Sequence, residues 1–525
     1  MPISLENTVG QKLMWSFNGH TPPPDFLAAL SAGKVSGLTL FRSLNLDHPA
    51  QILELTGTLQ RAARDAHQPR LLIGVDQEGG TLLAVPGTTR FPGNLALGAT
   101  CSAELAQRVG FALGRELAAL GINVNYAPVC DVINNVQNPV VGPRSFGADP
   151  QLVAQFASAM VYGLQVAGVA AAAKHFPGHG DSTTDSHHGM DVLPHDEARL
   201  RAIEFVPFQA ANQAGVKMIM TAHIALPDFD DGYQRPATLS PRILKKLLRD
   251  EMKFGGVVIS DAMDMHAIQQ GPLHVVEMVA GAQAGLDLLL LTSFVDQPAI
   301  YDALLLAARH GLLREVDLRA SVDRIAALKQ WVAQQTPPDP GVLGCAEHAA
   351  LAREIAERSI TRVRDECQQL PLHPAAHEQL AVIVPQPTDL TPADTSSYDR
   401  PALAAALRAY HDRVEEIVMP LEPSGADRAA IAERVAGAAC VIIGTINAYQ
   451  HRGQAELANH LIDRGESVVA VALRMPYDVS AYPRVPTCLC TYSLQPASLQ
   501  AAAKALWGQL PCTGRLPVEV PDHDD

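Results

Sequence analysis

The chain has 525 residues, a net charge of −15 and 47% hydrophobic side chains. That length exceeds the ~250–300 residues at which a single core usually divides, so two domains are expected. An acidic balance with no basic run argues against nucleic acid as a partner, because phosphate binding needs clustered Lys and Arg. The N-terminus, MPISLENTVGQKLMWSFNGH, lacks a basic start followed by an apolar run, so no signal peptide is expected. The longest apolar candidate, VVEMVAGAQAGLDLLLL, carries Glu277 and Asp287 and reads as a helix followed by a strand rather than a membrane span. Eight cysteines are scattered without a repeating spacing. This pattern suits reduced thiols and a cytoplasmic protein. Cys488 and Cys490 sit in an apolar strand-like run and read as buried thiols.

In chain order, short Val/Ile/Leu-rich runs alternate with longer segments of helical period. The strand candidates are KLMWSF, SGLTLF, LLIGVD, INVNYAP, VAAAAKH, VKMIMTAH, GGVVISD and LDLLLLT. Between them lie helix candidates such as AELAQRVGFALGRELAAL, QLVAQFASAMVYGLQVAG and SPRILKKLLRD. Eight strand–helix repeats over residues 1–335 predict a TIM-type (β/α)8 barrel, although a doubly wound open sheet satisfies the same pattern. The Pro/Gly-rich QQTPPDPGVLG breaks the preceding helix and marks a linker at 336–345. Beyond it, LAVIVP, AACVIIGTI and SVVAVALR alternate with helical segments. They predict a smaller α/β sandwich domain over 346–525. No catalytic constellation stands out there, so this domain is expected to pack on the barrel or to mediate association into a homodimer.

Ionisable residues fall at the ends of four predicted strands: Asp76, Lys174 with His175, His223 and Asp261. Strand C-termini of a parallel barrel converge on one face, where catalytic groups collect. A strand buried on both sides tolerates charge only at its rim. The densest stretch is KHFPGHGDSTTDSHHGMDVLP, Lys174 to Pro194. His175 and His179 have the spacing of a helical metal-ligand pair, but Pro177 and Gly178 between them forbid a regular helix. No metal or cofactor is expected. A bland alternative is a polar loop whose histidines cap neighbouring helices. Proton transfer suits the stretch better, because Asp185 placed against His187 would fix the tautomer and aim the other ring nitrogen outward.

The same stretch closely resembles the K-H-F-P-G-H-G-D-[TS]-x-x-D-S-H signature of the β-N-acetylglucosaminidase branch of family 3 glycoside hydrolases. GVDQEGG, FPGNLALGAT, NVNYAPVCDV, NPVVGPRSFG and GVVISDAMDM resemble further family segments in the same order. VVAVALRMPYDVSAYP and GRLPVEVP resemble the second domain of the longer members. The resemblance implies Asp261 as nucleophile, His187 as general acid/base and Asp185 as its partner. It implies Asp76, Arg144, Lys174 and His175 as sugar-binding groups and Met265 as a pocket wall. Asp264 is a rival carboxylate with no matching role, and His179, Asp181, His188 and His223 are left as loop or supporting groups. The implied activity is retaining exo-hydrolysis of terminal β-linked N-acetylglucosamine from cell-wall muropeptide fragments or chitooligosaccharides. A phosphorylase on the same scaffold, a family 3 β-glucosidase and a non-catalytic sugar binder are the competing readings. The partner is a small-molecule carbohydrate, not a membrane. Many relatives carry arginines on the loop after D-Q-E-G-G, where this chain has Thr81 and Ala84. Arg90 is the nearest residue that could reach back.

Overall fold

The computed structural model describes residues 4–187, 189–268, 271 and 274–521; His188 lies outside them. Eight short strands are numbered here in chain order. They are β1 (Leu13–Trp15), β2 (Gly37–Thr39), β3 (Leu72–Val75), β4 (Val124–Asn125), β5 (Ala170–Phe176), β6 (Met218–Thr221), β7 (Val257–Ala262) and β8 (Leu288–Leu290). Each pairs in parallel with its sequence neighbours, and β1 also pairs with β8, Leu13 opposite Leu289. The sheet is therefore a closed barrel, and the open-sheet alternative falls. The stretch read as helix then strand is Val275–Ala284 followed by β8.

Period-two alternation decides what faces inward. Ala170, Ala172, Met218, Val257, Ile259 and Leu288 pack together inside the barrel. Their neighbours Ala171, Ile219, Val258 and Leu289 face the surrounding helices in a second, larger cluster. Gly74 belongs to the inner register, and a Cβ there would lie 2.4 Å from the Tyr126 hydroxyl, so only glycine lets that ring cross the interior. The Tyr126 hydroxyl bonds Thr39 Oγ1 at 2.8 Å, which satisfies it in the core.

The second domain has a six-stranded sheet: β9 (Thr361–Asp365), β10 (Leu380–Pro385), β11 (Val414–Met419), β12 (Cys440–Thr445), β13 (Val468–Ala472) and β14 (Thr487–Cys490). Its order is β9-β14-β13-β12-β10-β11, parallel except for β9 against β14. Helices cover both faces through two apolar clusters, which makes an α/β sandwich. β11, VEEIVM, escaped the pattern reading because an edge strand carries glutamates that a central strand would not tolerate.

Helix Ala346–Ser359 bridges the domains. Leu351, Ala352 and Ile355 join the barrel's helical core, and Ala356 joins the second domain's. Buried Glu116 locks the joint. It accepts hydrogen bonds from Thr89 N (2.7 Å), Thr89 Oγ1 (2.6 Å) and Gly344 N (3.1 Å), and it pairs with His348 Nδ1 (2.7 Å).

Candidate active site

The inner register sets the site. Ala170 and Ala172 are followed by Lys174, Val257 and Ile259 by Asp261, and Leu72 and Gly74 by Asp76. Each strand thus turns its first ionisable inward residue into the barrel mouth. There a cavity of about 570 Å³ is lined by Asp76, Arg144, Lys174, His175, His187, Asp261 and Met265, and also by Asp264. Of the residues expected at the site, only Asp185 stands behind the wall rather than in it.

One side of the cavity is a network of buried charges. Arg144 grips Glu78 with two prongs, Nε to Oε2 at 2.9 Å and Nη2 to Oε1 at 2.7 Å. Lys174 Nζ lies 2.6 Å from Glu78 Oε1 and 2.6 Å from Asp76 Oδ1. Burial pushes the Glu78 carboxyl up, but Arg144 and Lys174 outweigh it and hold its pKa at about 2. Burial pulls Lys174 down, and Asp76 and Glu78 more than reverse that. Both cations therefore stay charged, and Asp76, more exposed than Glu78, lines the cavity.

Asp131 organises the adjoining wall. Its Oδ1 accepts from the backbone N–H of His175 (3.1 Å) and of His179 (2.8 Å), and its Oδ2 meets His175 Nδ1 at 2.7 Å. His175 Nε2 lies 3.4 Å from Arg144 Nη2. A guanidinium only donates, so Nε2 accepts and Nδ1 carries the proton given to Asp131. Burial lowers His179 to about 4. Its neutral ring sits between Ser182 Oγ (2.5 Å) and Ser186 Oγ (3.0 Å).

The opposite side is the loop after β5. Asp185 Oδ1 accepts from both the backbone N–H (2.9 Å) and Nδ1 (2.7 Å) of His187. The His187 ring is thereby held in the cavity wall, and its Nε2 has no hydrogen-bond partner among the described residues. The loop is stitched to the chain following Asp261: Ala267 N donates to Ser186 O (3.2 Å), and His266 Nδ1 meets His187 O (2.8 Å). The imidazole and the β7 carboxylate are thus registered by backbone contacts. His223 steadies the same strand end, Nε2 bonding Ala262 O at 3.0 Å and Nδ1 bonding Thr238 Oγ1 at 2.8 Å. Burial lowers the His223 pKa. Withdrawal from water pushes the Asp261 carboxyl up, but His175, His223, His187 and the Ala262 amide overcome it, so it ionises below the ordinary carboxylate range. Asp264 shares the cavity but bonds Thr292 Oγ1 (2.5 Å), which ties it into the wall.

Two expectations change. Arg90 does not reach back: Nε bonds Gln495 Oε1 at 2.6 Å and Nη2 pairs with Asp399, so it ties the barrel to the second domain. Nor does the second domain merely pack. Its segment from Asp389 to Tyr398 forms part of the cavity wall, docked by Thr395 N on Thr81 O (2.8 Å) and by Leu83 N on Thr395 Oγ1 (3.0 Å). Sequence reasoning also passed over Glu78, Asp131 and Arg42. Glu78 and Asp131 lie in GVDQEGG and NVNYAPVCDV, and an acidic residue just past a buried strand was the available signal.

Breaking a glycosidic bond asks for a proton donor and for an anion or ion-stabilising group at the anomeric carbon. The barrel mouth brings both kinds of group into one cleft of sugar size, and the molecule is a glycoside hydrolase built on a parallel barrel. Residues 4–328 match the Glycosyl hydrolase family 3 N terminal domain, and the chain belongs to that family. It is 30% identical to Beta-hexosaminidase A of Pseudoalteromonas piscicida, over 99% of this chain and 98% of that one. It is also 30% identical to a Beta-N-acetylglucosaminidase/beta-glucosidase of Cellulomonas fimi, over 95% and 91%. Among solved structures, a family 3 beta-N-acetylglucosaminidase from Paenibacillus sp. str. FPU-7 superposes with a TM-score of 0.92 at 35% identity, covering 99% of both chains.

Proposed function

We propose that this chain is a retaining exo-β-N-acetylglucosaminidase that releases terminal β-linked N-acetylglucosamine from muropeptide fragments or chitooligosaccharides in the cytoplasm. The observation that carries the reading is the Asp185-backed His187 sharing one cavity with the ionised Asp261. The names of the similar hexosaminidases and N-acetylglucosaminidases support the sugar. Free thiols at Cys130, Cys440, Cys488 and Cys490, all buried, support a reducing compartment.

In the first step an Asp261 oxygen attacks the anomeric carbon while protonated His187 gives its Nε2 proton to the departing glycosidic oxygen. The C1–O bond breaks and a glycosyl-aspartate forms. In the second step neutral His187 takes a proton from water, the water oxygen attacks C1, and the Asp261 carboxylate leaves. Two inversions leave the anomeric configuration unchanged. A neutral imidazole base adds no second anion beside the nucleophile. Asp185 steadies the imidazolium and fixes its tautomer. Asp76, Lys174 and Arg144 hold the ring hydroxyls from positions set before substrate arrives, with His175 orienting Arg144, so their bonds are available to strengthen as the ring flattens. Met265 closes an apolar wall.

Proton NMR during hydrolysis of an aryl β-N-acetylglucosaminide tests this: β-N-acetylglucosamine appears first, and first appearance of the α-anomer would refute retention. Adding inorganic phosphate discriminates the phosphorylase, since hydrolysis predicts no sugar 1-phosphate.

A further inference from the structure

The end of the barrel opposite the catalytic mouth carries a second cavity, of about 540 Å³. It lies where Lys12 leads into β1 and Asp287 leads into β8. Five cationic side chains line it: Lys12, Lys245, Arg249, Arg314 and Arg324. Only three carboxylates face them, those of Asp250, Asp287 and Asp317. The lining thus holds two more positive charges than negative, in a chain whose net charge is −15. An acidic protein that gathers cations in one hollow has reversed its own field there.

The imbalance is greatest at depth. Buried Asp287 is the common anion of three cations. Its Oδ2 accepts from Arg249 Nη2 at 2.6 Å, and its Oδ1 from Arg324 Nη2 at 2.7 Å. Lys12 is also buried, yet its ammonium reaches no carboxylate oxygen. Nζ donates to Leu286 O (2.7 Å), Asp287 O (3.2 Å) and Ser321 Oγ (2.8 Å). Burial pulls the Lys12 pKa down to about 8; Asp287 resists, and Arg324 and Arg249 add to the fall. Nearer the surface, Asp317 serves two cations, Lys245 Nζ at 3.1 Å and Arg314 Nη2 at 2.8 Å. Arg314 Nη1 and Arg324 Nη1 have no hydrogen-bond partner among the described residues. A purely structural role accounts for Asp287, which also accepts from Val258 N (2.9 Å) and so ties β7 to β8. It does not account for Lys12, Lys245 and Arg314 lining the same hollow, where like charges repel.

We propose that this hollow binds a phosphate dianion, either the free ion or the monoester of a small molecule, at the end of the barrel remote from the catalytic mouth. Two negative charges match the excess in the lining. The unpartnered Nη1 groups of Arg314 and Arg324 are donors for phosphate oxygens, and a planar guanidinium suits them. Lys12 adds its charge from beneath, its three protons being already given to protein oxygens. The cavity is larger than inorganic phosphate fills, which leaves room for the organic part of a monoester. The site stands independently of the catalytic reading.

Calorimetric titration of the full chain tests it. The probes are inorganic phosphate and glucose 6-phosphate at about pH 7.5, where a phosphate monoester is dianionic, with chloride controls of matched ionic strength. Binding of at least one probe is expected, with a melting temperature roughly 2 °C or more above the chloride control. The side chains of Lys245 and Arg314 are 38% and 67% exposed, so Lys245→Ala and Arg314→Ala keep the fold. Each should weaken binding by roughly 5–10-fold, the scale of one charge-assisted hydrogen bond partly open to water. The double variant should lose the thermal shift. Tighter binding of glucose 6-phosphate assigns the site to a phosphorylated small molecule, and equal or weaker binding assigns it to the free ion. Neither heat nor a thermal shift beyond chloride overturns the proposal. Binding that survives intact in the double variant also overturns it, because the anion would then sit elsewhere, such as the catalytic mouth.

Discussion

The two sides of the cavity are built on opposite terms. On the floor, Glu78, Arg144, Lys174, Asp131 and His175 are buried and bonded to one another, so their geometry is complete without substrate. On the arm, His187 has 26% of its side chain exposed and one ring nitrogen anchored on Asp185. A group that binds gains from fixed, dry partners, because no reorganisation is left to do at the transition state. A group that gives and takes a proton needs one free nitrogen and access to water. Asp261 stands between them, placed by its strand, with a carboxyl that ionises below the ordinary carboxylate range.

Removing the group between the two sides has the largest effect. Asp261→Ala should lower kcat on an aryl N-acetylglucosaminide by roughly 10³–10⁴-fold with an unchanged melting temperature. On the arm, His187→Ala should cost roughly 10²–10⁴-fold on disaccharides. The loss should be smaller on nitrophenyl substrates, whose leaving group needs little protonation. A leaving-group-independent loss would break the assignment of His187 as acid. On the floor the signature reverses. Glu78→Ala leaves Arg144 and Lys174 buried without their shared anion, and should destabilise the fold by about 3–5 kcal/mol. Thermal unfolding reads this directly, and a variant as stable as the parent would show that the network is dispensable for folding. The smallest effect is a pH response. A folded pKa of about 2 at Glu78 lies below the ordinary glutamate value. Its contribution is therefore present above pH ~4–5 and fades as pH falls towards 2. Unfolding midpoints between pH 7 and 2 should drop less steeply in Glu78→Gln than in the parent.

Much of the site was legible because strand chemistry is local. An apolar run ending in Asp76, Lys174 or Asp261 declares both a buried strand and its rim. Asp185 and His187, two residues apart, hydrogen-bond through contacts that need no distant partner. Glu78 and Asp131 were harder. Each is one acid among many until the fold shows that a guanidinium 66 residues away and an imidazole 44 residues away converge on them. Arg90 shows the same limit: its place along the chain puts it within reach of the loop, and the fold turns its guanidinium to Asp399 instead.

Alternation and strand-end chemistry, both properties of neighbouring residues, let the amino-acid order alone determine the strand–helix repeats, the second α/β domain and the Asp185–His187 contact. Tertiary structure alone decided which cations neutralise Glu78, and that a second-domain turn forms part of the cavity wall. Contacts between residues hundreds of positions apart arise from closure of the barrel and docking of the domains. No local period encodes them.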